Sequence, residues 1–296
     1  MANLYNQAEK NIRRTWAYLF LFLLMVIFIG WIISYFLESY LILVIAVILA
    51  LFLNFFSYWN SDKIVLRMTR AREIEKKDNP ELYRIVENLS ITAGLPTPRI
   101  YIIEESQPNA FATGRNPEKG VIAVTRGLLE KLERAELEGV IAHELAHIGN
   151  RDILLSTIVV VLLGMVVLMT DFFFRIGLYG SGGGRRDRLP VIIIALALAI
   201  IAPIIARIMK MALSRKREFL ADSSGALLTR YPEGLARALE KISSDPTPMR
   251  VASDATSHLF IDSPFRGKEK KRWLHRLFAT HPPIEERVSK LRQIDL

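Results

Sequence analysis

Cysteine is absent from the 296 residues. Disulfides, thiolate metal ligands and a thiol nucleophile are therefore excluded, and a reducing compartment fits. Histidine is scarce, with five in the chain, so imidazole chemistry is confined to few positions. Acidic residues are outnumbered, 30 against 39 Lys and Arg, for a net charge of +9. No aromatic and basic binding motif accompanies that excess, so nucleic acid is not an expected partner. Polar residues are missing over long stretches. The chain is 51% hydrophobic with mean hydropathy +0.25, high for a soluble domain.

Residues 15–36 form an uncharged, mostly apolar stretch. As a helix it spans about 33 Å, enough for a bilayer core of ~30 Å. It is too long for a signal peptide and lacks a small-residue cleavage site, so an uncleaved anchor is expected. A second run covers 39–59, and only Leu37 and Glu38 separate the two, which implies a tight helical hairpin. Tyr35, Tyr40, Tyr58 and Trp59 sit near the ends of these runs, as interfacial aromatics do. Two further runs, 153–170 and 189–206, each hold 18 uncharged residues around a polar loop, Gly180 to Arg186. Neither shows a polar face, so both are expected to cross, for about four membrane helices.

The basic residues crowd the ends of the apolar runs: Lys10, Arg13, Arg14, Lys63, Arg67, Arg70 and Arg72. That suits an anionic membrane surface, and the positive-inside rule makes this side cytoplasmic. The expected organisation is a membrane hairpin at 1–60, a first soluble segment at 61–152, a second membrane hairpin at 153–206 and a second soluble segment at 207–296.

Within the soluble segments, Asn79-Pro80 reads as a helix cap and first turn, followed by an apolar face of Leu82, Ile85, Val86 and Leu89. Ile100 to Ile103 reads as a strand. Asn109 to Thr125 reads as a β-hairpin turning at Asn116-Pro117-Glu118-Lys119-Gly120. A helix over about 134–149 follows, ended by Gly149-Asn150. The expected fold is α+β and mostly helical, with a small β-hairpin.

That helix carries His143-Glu144-Leu145-Ala146-His147. Residues i and i+4 share a helix face, so both imidazoles can reach one metal ion. Zinc suits neutral imidazole, and three protein ligands would leave room for water. Glu144 stands beside the first ligand, where it can take that water's proton. A third ligand must come from elsewhere. In Arg217-Glu218-Phe219-Leu220-Ala221-Asp222, Glu218 and Asp222 also share a helix face. Glu218 can ligate, and Asp222 can accept from the back nitrogen of a ligating histidine. Glu104 or Glu105 is the fallback for the third ligand.

These motifs, with Asn109-Ala110-Phe111-Ala112 and Thr280-His281-Pro282-Pro283-Ile284-Glu285-Glu286-Arg287, resemble the HtpX type of membrane-bound zinc metallopeptidase along essentially the whole chain. The resemblance implies a zincin-like metallopeptidase domain facing the cytoplasm of the cell (inner) membrane. It implies ATP-independent proteolysis of membrane or misfolded proteins in quality control, with one Zn2+ per chain held by His143, His147 and Glu218, and Glu144 as base. Asn109, Ala110, Phe111 and Ala112 would lie by the cleft on an edge strand that a substrate chain can extend. His281 is the candidate oxyanion donor. His258 and His275, in polar stretches, are expected to be solvated and not ligands. Two alternatives stand beside this: a prenyl-protein peptidase trimming lipidated C-termini, and a catalytically silent membrane scaffold stabilised by zinc. Glu144 speaks against the scaffold, since a structural site has no use for a base.

Overall fold

Two long helices open the chain, α1 (Ala2–Phe36) and α2 (Tyr40–Met68). The computed structural model describes residues 2–36, 38–179, 215–253, 255–265 and 282–295. Glu38 takes a positive φ of 48° and Ser39 is extended, which reverses the chain between the helices. The helices approach closely at Gly30, where a Cβ would lie 2.1 Å from that of Ala46. A third helix, α6 (Asp152–Tyr179), packs against both through Leu19, Phe22, Ala50, Leu155, Ile158 and Leu162. Each holds a stretch long and apolar enough to cross a membrane: Glu9–Phe36, Tyr40–Met68 and Asp152–Phe172. On α2, Tyr40, Leu41, Ile45, Ile48, Phe52 and Phe55 are left exposed, an outer surface suited to lipid rather than water. The expected fourth run, 189–206, and the loop before it lie outside the described residues.

The sheet has four strands, β1 (Arg72–Glu73), β2 (Arg99–Ile103), β3 (Ala110–Thr113) and β4 (Val121–Thr125), in the order β1-β2-β4-β3. β3 and β4 form the expected antiparallel hairpin, Ala110 opposite Val124 and Thr113 opposite Val121. Its turn is closed by Asn116, whose side chain accepts from the Lys119 N–H. β2 runs parallel to β4, and β1 antiparallel to β2. Every residue of β4 is buried, as befits a central strand covered on both faces.

Helix α3 (Pro80–Ala93) begins where Asn79 accepts from the Leu82 N–H and ends at Gly94, φ 65°. A short α4 (Arg126–Lys131) leads to α5 (Arg134–Gly149), which starts in a capping box of Glu133 and Glu136. α5 ends at Gly149 with Asn150 as its C-cap, as expected, and the chain then turns away through Arg151 at φ 56°. Among the described residues three more helices follow: α7 (Arg215–Thr229), α8 (Pro232–Ser244) and α9 (Ile284–Leu291). α5 is the centre of the soluble part, packed by α3, β3, α7 and α8. Val140, Ile141 and Leu145 are fully buried there, each stabilising by roughly 1.5–3 kcal/mol. α7 approaches α5 at Gly225, where a Cβ would lie 2.9 Å from the His143 backbone nitrogen. That contact brings the two motif-bearing helices face to face.

Candidate metal centre

α5 presents His143 and His147 one turn apart, with their Nε2 atoms 3.1 Å from each other. Glu218 arrives from α7. Its Oε2 lies 3.8 Å from His143 Nε2 and its Oε1 3.7 Å from His147 Nε2. One ligand atom from each residue falls within 4.8 Å of the others, the spacing of groups that could hold a metal ion. The back nitrogens face carboxylates. His143 Nδ1 lies 2.9 Å from Asp222 Oδ1, and His147 Nδ1 3.3 Å from Asp152 Oδ2. Carboxylates there favour a proton on each Nδ1, so a neutral imidazole at either position turns its Nε2 lone pair toward Glu218. With the His147 proton displaced, two lone pairs and a carboxylate converge on one point, an arrangement that a cation between them would hold. The donor set therefore fits a divalent ion of zinc type.

The carboxylates are held in turn. Asp222 accepts a forked pair of bonds from Arg287, at 2.9 and 2.7 Å, and Arg287 also donates to the Ile261 carbonyl at 3.0 Å. Asp152 accepts from the Asn11 amide at 2.7 Å and from Arg217 at 3.4 Å. These surroundings pull the groups apart electrostatically. Burial lowers the His143 pKa to about 4, against the opposing pull of Asp222. Burial also works to lower His147, but the hydrogen bond to Asp152 and the charges of Glu218, Asp152 and Glu144 raise it to about 9. Burial opposes ionisation of Asp222, yet the Arg287 guanidinium wins and holds it down at about 2.

Glu144 is buried beside His143, close enough for its charge to act on His147. Asn109, Ala110, Phe111 and Ala112 lie on or just before β3, at the sheet edge, and all four are buried. The segment around 260–262 covers the first three. The Ile261 N–H donates to the Ala110 carbonyl at 3.0 Å, Asn109 donates to the Asp262 carbonyl at 3.0 Å, and Phe260 meets Phe111 edge-on. Thr125 donates to the Asn109 carbonyl, so alternation turns the peptide groups of Ala112 away from β4.

Glu104 pairs with Arg126, and Glu105 accepts from the backbone of Arg250 and Val251. Neither joins the metal group. His258 is buried, not solvated as its polar neighbours had suggested, because the segment carrying it tucks in beside β3. His281 and His275 lie outside the described residues. Sequence reasoning missed Asp152, Arg287, Asn11 and Arg217. Arg217 and Arg287 stood within quoted motifs, but nothing local gave them partners.

Apolar helices of membrane-crossing length, joined to a His-Glu-x-x-His helix that meets a distant glutamate, define a membrane-bound metallopeptidase. The model of peptidase family M48 matches residues 76–295, and the chain belongs to that family. Its relatives include the protease HtpX homologue of Dictyoglomus thermophilum, 43% identical over 291 residues, 98% of this chain and 94% of the relative. That of Thermoanaerobacter pseudethanolicus is 44% identical over 301 residues, 99% of this chain and 98% of the relative. That of Thermococcus sibiricus is 49% identical over 253 residues, 84% and 85% respectively. Among solved structures, S. mikatae Ste24p aligns with 98% of this chain and 67% of its own at 18% identity and a TM-score of 0.49, too remote to inform the site.

Proposed function

We propose that the chain is a zinc-dependent endopeptidase that hydrolyses membrane or misfolded proteins, with its catalytic side in the cytoplasm. The observation that carries this is the convergence of His143, His147 and Glu218, with Glu144 buried beside them. Those three residues would hold one zinc ion. Zinc there would polarise a scissile carbonyl and make water acidic enough to react near neutral pH. Glu144 takes the proton of that water and returns it to the leaving amine. Asp222 and Asp152 fix the tautomers of the two imidazoles. Substrate adds to the edge of β3 at Ala112, beyond the stretch that Ile261 already covers. His281 supplies a donor to the oxyanion. The names of the relatives support the proteolytic reading, and the basic residues flanking α1 and α2 support the cytoplasmic side.

The test is casein hydrolysis by the full chain in detergent, with and without a chelator, for wild type and Glu144→Gln. Chelation should abolish cleavage. Glu144→Gln should lose about 10²–10⁴ in rate while keeping its metal. Turnover close to wild type in Glu144→Gln would sink the mechanism.

A further inference from the structure

Asn11 sits near the start of a membrane helix, yet it is 3% exposed. A buried amide is costly unless it is paired, and this one is paired at both ends. Its Nδ2 donates to Asp152 Oδ1 at 2.7 Å. Its Oδ1 accepts from Arg217 Nη1 at 3.4 Å, and the same Nη1 lies 3.4 Å from Asp152 Oδ1. The three residues come from α1, α6 and α7, and all are buried. Two of the three touch the metal centre's ligands. The other oxygen of Asp152 faces His147 Nδ1, and Arg217 adjoins Glu218 in the chain.

Asn11 also has a defined level. Trp16, five residues on, stacks on Tyr58 with centroids 5.6 Å apart. The Arg115 guanidinium, from the β3–β4 turn, lies 4.0 Å from the centre of the Trp59 ring. Aromatic rings capped by a cation mark a bilayer interface. Asn11 lies about 7.5 Å along α1 from that layer, one and a half turns toward the metal centre. The seat of α1 in the membrane and the orientation of His147 thus meet at one amide.

We propose that Asn11 is a positioning residue for the metal centre, acting through Asp152 on His147 and through Arg217 on the helix that carries Glu218. The first membrane helix is then a structural part of the site and not only its anchor. The proposal rests on the metallopeptidase reading above. An amide suits the role because it donates to a carboxylate and accepts from a guanidinium at once. Leucine, of similar size, can do neither.

The test uses the full-length chain in detergent micelles, loaded with Co2+ as probe. Affinity is read by competition with a chelator, and ligand geometry by the visible d–d bands. The variants are Asn11→Leu, Asn11→Gln and, as control, Asn54→Leu, whose amide donates within its own helix to the Ala50 carbonyl. Asn11→Leu should bind Co2+ some 10–100-fold more weakly, the usual effect of removing an outer partner, with a shifted spectrum. Asn11→Gln should recover most of both, and should decide the matter if Asn11→Leu does not fold. Asn54→Leu should match wild type. Wild-type affinity and spectrum in Asn11→Leu would overturn the proposal, as would an equal loss in Asn54→Leu. If His147→Ala binds Co2+ as wild type does, the metallopeptidase reading itself fails, a result distinct from either.

Discussion

His147 is the candidate ligand at which metal and proton would compete. Its pKa in the metal-free protein is raised to about 9, so at pH 7 it carries a proton that a metal must displace. Zinc binding at pH 7 should release about one proton, and affinity should climb roughly tenfold per pH unit until about pH 9. Calorimetry in buffers of different ionisation enthalpy checks this, and proton-independent binding would contradict it. The same raised pKa makes the His147 contribution to metal-free stability complete below about pH 6.5 and lost as pH rises through about 9. Asp222 runs the other way. Held down at about 2, it contributes above about pH 4 and stops contributing as pH falls through about 2. Asp222→Ala would leave Arg287 buried without its forked partner, at a cost of roughly 3–5 kcal/mol read as a lower Tm. It should weaken metal binding less than Glu218→Ala, which removes a candidate ligand outright; stoichiometric metal in Glu218→Ala at nanomolar free zinc would reassign the ligand. The His143, His147, Glu218 and Asp222 set was legible in sequence because a spacing of four reports a shared helix face. Asn11 with Asp152, and Asp222 with Arg287, were not, since 141 and 65 positions separate them.

Two helices make the site, and their spacing is set by glycine. α7 lies against α5 so closely at Gly225 that any side chain must displace one of them. Gly225→Ala should cost roughly 1–3 kcal/mol by overpacking. It should also weaken metal binding by moving Glu218 away from the imidazoles, an effect that Gly94→Ala, with open space around its Cα, should not share. Equal metal affinity in the two variants would contradict this account of the helix contact. The limits of α5 were readable, since apolar spacing outlines it and Gly149-Asn150 ends it. The β3–β4 hairpin was readable from its Asn-Pro and Gly turn. β2 was readable as a strand, but its parallel pairing with β4 was not, because β4 is apolar throughout and shows no alternation that would reveal its neighbours. The cover on β3 by residues 260–262 was equally hidden. It depends on Asn109 and Ala110 meeting backbone groups far along the chain.

At the scale of the whole molecule, the membrane helices and the soluble helices share one set of contacts. α6 runs directly on from the metal helix and packs on α1 and α2, so the centre and the bilayer spans are built as a unit. The two apolar runs before residue 60 and the run after Asp152 were plain from hydropathy alone, because nothing polar interrupts them. How they pack was not, for lipid-facing and helix-facing positions look alike in composition. The proposed cytoplasmic placement of the basic ends of α1 and α2 predicts that a cysteine replacing Glu38 reacts with an impermeant thiol reagent added to spheroplasts and that one replacing Ser244 does not. Reversed labelling would put the catalytic side outside. The central claim is that one metal ion sits among His143, His147 and Glu218, and zinc K-edge X-ray absorption on the full-length protein tests it most directly. The account predicts one zinc per chain with two imidazole rings, nitrogens at about 2.0 Å, and carboxylate oxygen. His147→Ala should lose one ring. A spectrum with fewer than two imidazoles, or one unchanged in His147→Ala, would contradict the account.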